Sequence, residues 1–178
     1  IPTIDHWLFQ GGQFVFAAGV LASLSGSHVL PWRDAAEPAR ASAVVHGLRA
    51  TAATLLLAAT TFAMAVLYQP AGLVPEARFE LLVWGLGHVL QLACALAMVV
   101  VWLLLIESAT GAPPVSSRGA AVLFVASLVP WAIAPLLAAR GAAGANPHAG
   151  FTLLMQLGIA VHILSGDRSF GKVEDAIA

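Results

Sequence analysis

Charged side chains are scarce in this sequence, at 10% of its 178 residues, whereas 60% are hydrophobic and the mean hydropathy is +0.88. Soluble domains carry about 25% charged residues, because polar side chains must cover their surface. The composition therefore excludes an ordinary soluble domain and predicts that a lipid bilayer surrounds most of the chain. The formal net charge of −1 provides no basic surface for a phosphate backbone, so nucleic acid is not an expected partner.

Cysteine is almost absent as well. The one cysteine, Cys94, excludes an intrachain disulfide framework and a cysteine-based zinc or iron–sulfur site. The sequence also lacks a glycine-rich phosphate loop, a His-Glu-x-x-His zinc helix and a Gly-x-Ser-x-Gly nucleophile elbow. No Asp or Glu lies deep in an apolar run, which argues against a pump or cation transporter that relies on buried carboxylates. Hydrolases and transporters are therefore disfavoured.

Long apolar runs dominate what remains. A helix needs about 20 mostly apolar residues to cross the hydrocarbon core of a bilayer. The sequence predicts an all-α, polytopic transmembrane helical bundle forming one domain, which is either complete or a piece of a larger assembly. Its five predicted spans cover residues of about 7–26, 42–68, 80–106, 119–139 and 150–165. Pro130 and Pro135 lie inside the fourth span and predict a kink there.

The distribution of Lys and Arg predicts the orientation of these spans. One side of the membrane would receive six of the eight basic residues, and the other side would receive two, Arg78 and Arg140. The side with more basic residues is expected to be cytoplasmic, so residues 29–41, 108–117 and the C-terminal segment would face the cytoplasm. The start of the chain and residues 69–78 would then face outward, across a bacterial inner membrane.

Among the histidines, His88 is the leading candidate for a functional residue. It lies about a third of the way across the third span, where an ionisable group is costly. Gly85 and Gly87 precede it and remove side chains from that turn, so a flat macrocycle or a neighbouring helix could approach closely. Gln91 is on nearly the same helix face and could orient a ligand. The alternative is a small-residue helix contact in which His88 forms a hydrogen bond to a carbonyl of a neighbouring helix.

Further candidate cofactor ligands lie near other span ends. His46 and Arg49 are three residues apart, so an imidazole could bind haem iron while the guanidinium pairs with a propionate. Arg49 is equally well explained as a cytoplasmic anchor. His148 and His162 are four helical turns apart and could bind haems at two depths, with the reservation that Pro147 and Gly150 flank His148.

The segment Trp84-Gly85-Leu86-Gly87-His88-Val89-Leu90-Gln91, followed by an aliphatic helix to Trp102, resembles the copper-ligand helix of divergent haem–copper oxidase catalytic subunits. In that family, the histidine of this element binds the active-site copper beside a haem. The resemblance implies that His88 is a copper ligand and that the chain works in a respiratory complex. The segment Phe151 to Gln156 is loosely similar to a helix start in the same relatives.

This sequence departs from the family pattern in several ways. It contains neither a His-His pair nor a His-x-His motif, and Leu92 occupies a position that is tyrosine in many oxidases. A chain with about five spans cannot form a complete oxidase, so any activity would be that of an oxidoreductase to which it contributes.

Three functional hypotheses follow from the sequence. The first is a redox subunit of a bacterial respiratory complex that binds haem or copper through His88, with His46, Arg49 and His162 as further cofactor-binding candidates. Other transmembrane subunits, and a quinol or cytochrome, would be its partners. The second hypothesis is a cofactor-poor structural subunit of an energy-transducing complex. The third is a photosynthetic accessory protein in which His88 binds bacteriochlorophyll.

Overall fold

The computed structural model describes residues 6–24, 42–141 and 148–157, and it confirms the all-helical prediction because these residues contain no strand. The helices are α1 (Trp7–Leu24), α2 (Ser42–Leu67), α3 (Pro75–Thr110), α4 (Ser117–Leu128), α5 (Ala134–Gly141) and α6 (148–157), with a 3-10 helix over Val129–Ile133 joining α4 to α5.

Three stretches of the described chain are long and apolar enough to cross a membrane. They are Ala43–Leu67, Pro75–Thr110 and Ser117–Arg140, with 25, 36 and 24 residues. These stretches coincide with the second, third and fourth predicted spans. The first predicted span is helical as α1 but is not among the three, and the fifth continues beyond the described residues, so the five-span count stays a prediction.

Helix α1 belongs to one unit of the described chain, and the other helices belong to a second unit. The Nδ1 atom of His6 accepts a hydrogen bond from the backbone N–H of Leu8 at 3.2 Å, which satisfies one of the free donors at the start of α1. Large apolar side chains of α1, including Trp7 and Phe14, are exposed. Exposed apolar side chains on a helix of this kind are compatible with contact to lipid.

Helix α2 is the centre of the second unit, since it packs against α3, α4 and α5. Its buried face repeats every three or four residues, as expected for one side of a helix. All members of this face are small: Ala43, Gly47, Ala50, Thr54, Ala58, Thr61 and Ala65. Small side chains let helix backbones approach closely in a membrane, where no hydrophobic force drives helices together. The larger side chains of the core come from the helices that surround α2.

The closest approach of these helices is at Gly47. A Cβ atom at this position would overlap Val100 of α3 and would lie 2.8 Å from Cζ of Phe124 in α4. Further along α2, Thr61 lies beside Gly85 near the start of α3. Helices α2 and α3 are therefore antiparallel, with the beginning of α2 packed against the later part of α3.

The ends of α3 follow from local sequence. Pro75 occupies the first turn, where its missing N–H costs nothing, and the helix ends at Gly111, whose φ of 70° is left-handed. The N–H of Gly111 donates to the carbonyl of Glu107 at 2.9 Å. Helix α3 is consequently longer at both ends than the predicted span of 80–106.

The sequence predicts a kink at the two prolines of the fourth span, and the structure has a 3-10 segment there in place of a continuous α-helix. Pro130 lies in the five-residue 3-10 helix, and Pro135 lies in the first turn of α5, where a proline is tolerated. Trp131 of this 3-10 helix is buried, and its indole Nε1 has no hydrogen-bond partner within the described part of the chain.

Candidate functional site

The histidine predicted to be functional lies where α6 packs on α3. Gly85 makes this packing possible, because a Cβ atom there would be only 2.7 Å from Cζ of Phe151 and 3.2 Å from Cγ2 of Thr61. Gly87, by contrast, has nothing within 4 Å of the position a Cβ atom would take. Side chains of neighbouring helices therefore occupy the space beside Gly85, whereas the space beside Gly87 is open.

His88 is held by its own helix. The Nδ1 atom lies 2.8 Å from the carbonyl oxygen of Trp84, four residues earlier. A carbonyl can only accept a hydrogen bond, so Nδ1 carries the proton and donates it. The Nε2 atom then keeps its lone pair, and no residue of 6–24, 42–141 or 148–157 forms a hydrogen bond with it. This is the tautomer that suits a metal ligand, with one ring nitrogen anchored and the other available.

Aromatic rings surround the His88 imidazole. The ring centroid of Trp84 lies 4.9 Å from that of His88, and the centroid of Phe151 lies 6.0 Å from it. The same indole meets a second imidazole, that of His148, edge to face at a centroid distance of 4.3 Å. These rings form what we call the α3–α6 aromatic cluster: Trp84, His88, His148 and Phe151.

His148 connects this cluster to a carboxylate. Its Nε2 atom lies 3.3 Å from Oε1 of Glu80, and both side chains are more than one-third exposed. This contact is an ion pair only when His148 is protonated, and an ion pair in such an exposed setting contributes at most about 1 kcal/mol. The Nδ1 atom of His148 is buried and has no hydrogen-bond partner among the described residues. The sequence contains no local signal for this pairing, since Glu80 and His148 are 68 positions apart.

The other predicted ligands lie elsewhere. His46 is near the start of α2, where its Nε2 atom lies 3.4 Å from Oγ of Ser117 at the start of α4. The adjacent Gly47 packs against Val100, which follows His88 by 12 residues, or about 18 Å along α3. Arg49 is exposed at the same end. His46 and Arg49 are therefore remote from His88, and His162 lies outside the described residues.

A complete protein-built metal site is not present in the part of the chain that the structure describes. No group of three or more His, Cys, Asp or Glu side chains in it is close enough to hold one ion. A copper site with three imidazoles would need ligands from beyond these residues, whereas an axial position on a haem or chlorin needs one imidazole from this chain. The donor set around His88 fits the second requirement.

Sequence reasoning missed the part played by Trp84. In the sequence it is only the first residue of the segment Trp84 to Gln91 quoted above, with no part of its own. The structure instead places its ring against two imidazoles and uses its carbonyl to orient one of them. The spacing of Trp84 and His88, four residues apart on one helix, was the available signal.

Comparison of the chain with protein-family models, with curated proteins and with solved structures finds no match. The resemblance to haem–copper oxidases therefore depends on the residues quoted above and on nothing else.

Proposed function

We propose that this chain is a membrane-embedded redox subunit of a bacterial respiratory complex and that it would bind a haem through the imidazole of His88. The observation that carries the proposal is the position of the His88 ring, whose Nδ1 atom lies 2.8 Å from the Trp84 carbonyl oxygen and whose Nε2 atom has no hydrogen-bond partner among the described residues. Three candidate membrane-crossing helices support the membrane location.

The residues around His88 have distinct parts in this proposal. The Trp84 carbonyl orients the imidazole, and the rings of Trp84 and Phe151 provide an apolar setting. Gly87 has no neighbour within 4 Å of the position a Cβ atom would take, so no side chain fills the helix surface there. A bound haem would supply one-electron transfer, and a low-polarity setting with an anchored ligand is one way in which a protein tunes its potential. A quinol or a cytochrome would be the electron-transfer partner.

Haem is preferred to copper because of ligand number. His88 alone can provide one haem ligand, with the second supplied by residues outside the described part of this chain or by another subunit. A bacteriochlorophyll would also need only one imidazole ligand from His88, so the visible spectrum must distinguish haem from bacteriochlorophyll. His46, Arg49 and His162 remain candidates for a second cofactor site at the other depth of the membrane, with Arg49 pairing a propionate.

The decisive experiment is a reduced-minus-oxidised visible spectrum, with metal analysis, of the chain purified from its native membrane. We expect a b-type haem band and iron that are both lost in His88→Ala. The matched control is His148→Ala, which removes an imidazole from the same cluster but should leave the band. Copper without iron, a chlorin spectrum, or a band unchanged in His88→Ala would each overturn the proposal.

A second candidate function, a structural subunit without a cofactor, is favoured by the packing of α6 on α3. Phe151 against Gly85 and His148 against Trp84 form a helix contact that requires no bound group. In that case the purified chain would have a flat visible spectrum, and His88→Ala would change only the stability of the complex to which the chain belongs.

A further inference from the structure

Gln91 occupies an unfavourable place on α3. It follows Glu80 by 11 residues and precedes Glu107 by 16, which puts it about 16 Å and about 24 Å along the helix from these charges. It is therefore deep in the hydrocarbon core of any bilayer that α3 crosses. Its side chain is exposed and forms no hydrogen bond to any residue of the described ranges. A carboxamide that is surrounded only by lipid loses all the hydrogen bonds that it forms with water.

The other polar side chains of these helices avoid this cost. Thr60 is exposed on α2, but its hydroxyl donates to the carbonyls of Leu56 and Leu57 at 3.1 and 2.9 Å. Other hydroxyls bond to carbonyls of their own helix in the same way, those of Thr54, Thr61 and Ser127. Gln91 is the one Asn or Gln in the three candidate spans, and it lacks such an internal partner.

The surface around Gln91 has the repeat of a helix-pairing seam. Exposed or half-buried residues follow one another at alternating spacings of three and four, and we call this set the outer seam of α3: Gln91, Ala95, Met98, Trp102 and Leu105. Met98, Trp102 and Leu105 are 51%, 59% and 60% exposed, although the opposite face of α3 is buried by α2. A seven-residue repeat with one polar position is the pattern by which two helices pair in a fixed register.

We infer that the outer seam of α3 pairs with the same seam of a second copy of this chain, with the two Gln91 side chains bonded to each other across the dimer axis. Two copies inserted in one direction hold their α3 helices parallel, so each residue meets its equivalent at the same depth. A carboxamide is both donor and acceptor and therefore complements itself. Ala95, one turn after Gln91, is small enough to allow close approach. This inference does not depend on the haem proposal.

Cys94 provides the first test, because it is exposed, adjoins the seam and is the only cysteine of the chain. Any thiol-to-thiol crosslink must consequently join two molecules. Treatment of membranes containing the full chain with a short bismaleimide should give an adduct at twice the 18.3 kDa chain mass. The control is a Cys94→Ser, Leu56→Cys double variant, which moves the thiol to an exposed site on α2 and should give no such adduct. Absence of the Cys94 adduct would overturn the inference.

Gln91 is tested by energy-transfer measurement of self-association in bilayers. We expect Gln91→Leu to weaken association by about 3- to 30-fold, the range measured for interhelical side-chain hydrogen bonds. Gln91→Asn should retain most of it, and Thr60→Val, which removes a polar group satisfied by its own helix, should not change it. If the Gln91→Leu variant associated as strongly as the wild-type chain, pairing of two copies through Gln91 would be contradicted. The same would follow if Cys94 formed crosslinks only with a polypeptide of another mass. His88→Ala should lose any haem band and keep the dimer, so the two proposals fail separately.

Discussion

Gly85 and Gly87 are two residues apart on α3, yet only Gly85 is in contact with another helix. The sequence indicates that the bare backbone here would admit a flat cofactor or a neighbouring helix, but it does not show which of the two glycines meets a helix. That assignment depends on where Phe151 docks, which is a tertiary contact between residues 66 positions apart.

Substitution of these two glycines gives a matched pair of variants. Gly85→Ala is expected to destabilise the fold by about 1–3 kcal/mol, because the new methyl group would crowd Phe151 and Thr61. Gly87→Ala should be neutral or slightly stabilising, since it meets no neighbour and removes backbone freedom from a helix. Thermal unfolding in detergent measures both variants. Equal stability of the two would show that Phe151 does not pack on Gly85.

Gly47 gives a second prediction of the same kind. Gly47→Ala should lower the free energy of unfolding by about 1–3 kcal/mol, because Val100 and Phe124 both lie where the methyl group would go. Val100→Ala in the same chain removes one of these neighbours and should recover part of the loss. Val100→Ala alone measures the cost of losing its own buried methyl groups. A double variant that loses as much stability as the two single variants together would point to Phe124 as the main obstruction.

At the scale of helices, α6 is attached to α3 by ring contacts and by the contact between Glu80 and His148. This contact is half exposed and is an ion pair only when His148 is protonated, and surface pairs contribute little. Two ring contacts join the helices, Trp84 with His148 and His88 with Phe151, and aromatic contacts add about 0.5–1.5 kcal/mol beyond the area that they bury. The rings should therefore hold α6 more strongly than the charges do.

This ranking predicts that Trp84→Leu loosens α6 whereas Glu80→Gln hardly changes it. Glu80→Gln keeps the size of the side chain and removes only its charge, which makes it the matched control. Amide hydrogen exchange of residues 148–157 measures the outcome, and we expect faster exchange in Trp84→Leu alone. Faster exchange in Glu80→Gln than in Trp84→Leu would show that the Glu80–His148 contact holds α6 more strongly than the rings do.

Element boundaries were predictable only where the chain signals them. Pro130 and Pro135 indicated a disturbance of the fourth span, and the 3-10 helix Val129–Ile133 confirms it. The extension of α3 to Pro75 and Thr110 was not predicted, because the expected boundaries followed the charges Glu80 and Glu107. Charges mark where the hydrocarbon ends, whereas a helix ends only where its hydrogen bonds do.

At the scale of the whole molecule, α3 is too long to stand upright within the hydrocarbon core. Its 36 residues extend about 54 Å, compared with about 30 Å for the core of a bilayer. Its ends must therefore lie in water or among headgroups, unless the helix is strongly tilted. The two connections that flank α3 should consequently be accessible from opposite sides of the membrane.

Cysteine labelling checks this arrangement and the predicted orientation together. In a Cys94→Ala background, Ala71→Cys precedes α3 and Ala112→Cys follows it. A membrane-impermeant maleimide added to intact bacterial cells should label Ala71→Cys and should reach Ala112→Cys only after the cells are opened. If intact cells were labelled only at Ala112→Cys, the orientation would be the opposite of the predicted one. If they were labelled at both positions, α3 would not cross the membrane.

The internal hydrogen bonds of the hydroxyl groups also bear on the order in which the protein is assembled. Thr54 and Thr61 donate to carbonyls of α2 itself, at 2.8 and 2.7 Å, so these groups need no neighbour in order to enter lipid. A newly synthesised α2 can therefore move by itself from the insertion machinery into the bilayer, before the helices that pack against it have been made. Gln91 gives α3 no such independence. Biogenesis would therefore be delayed at the third helix, and this is the point at which a chaperone or protease of the membrane would detect an unassembled chain.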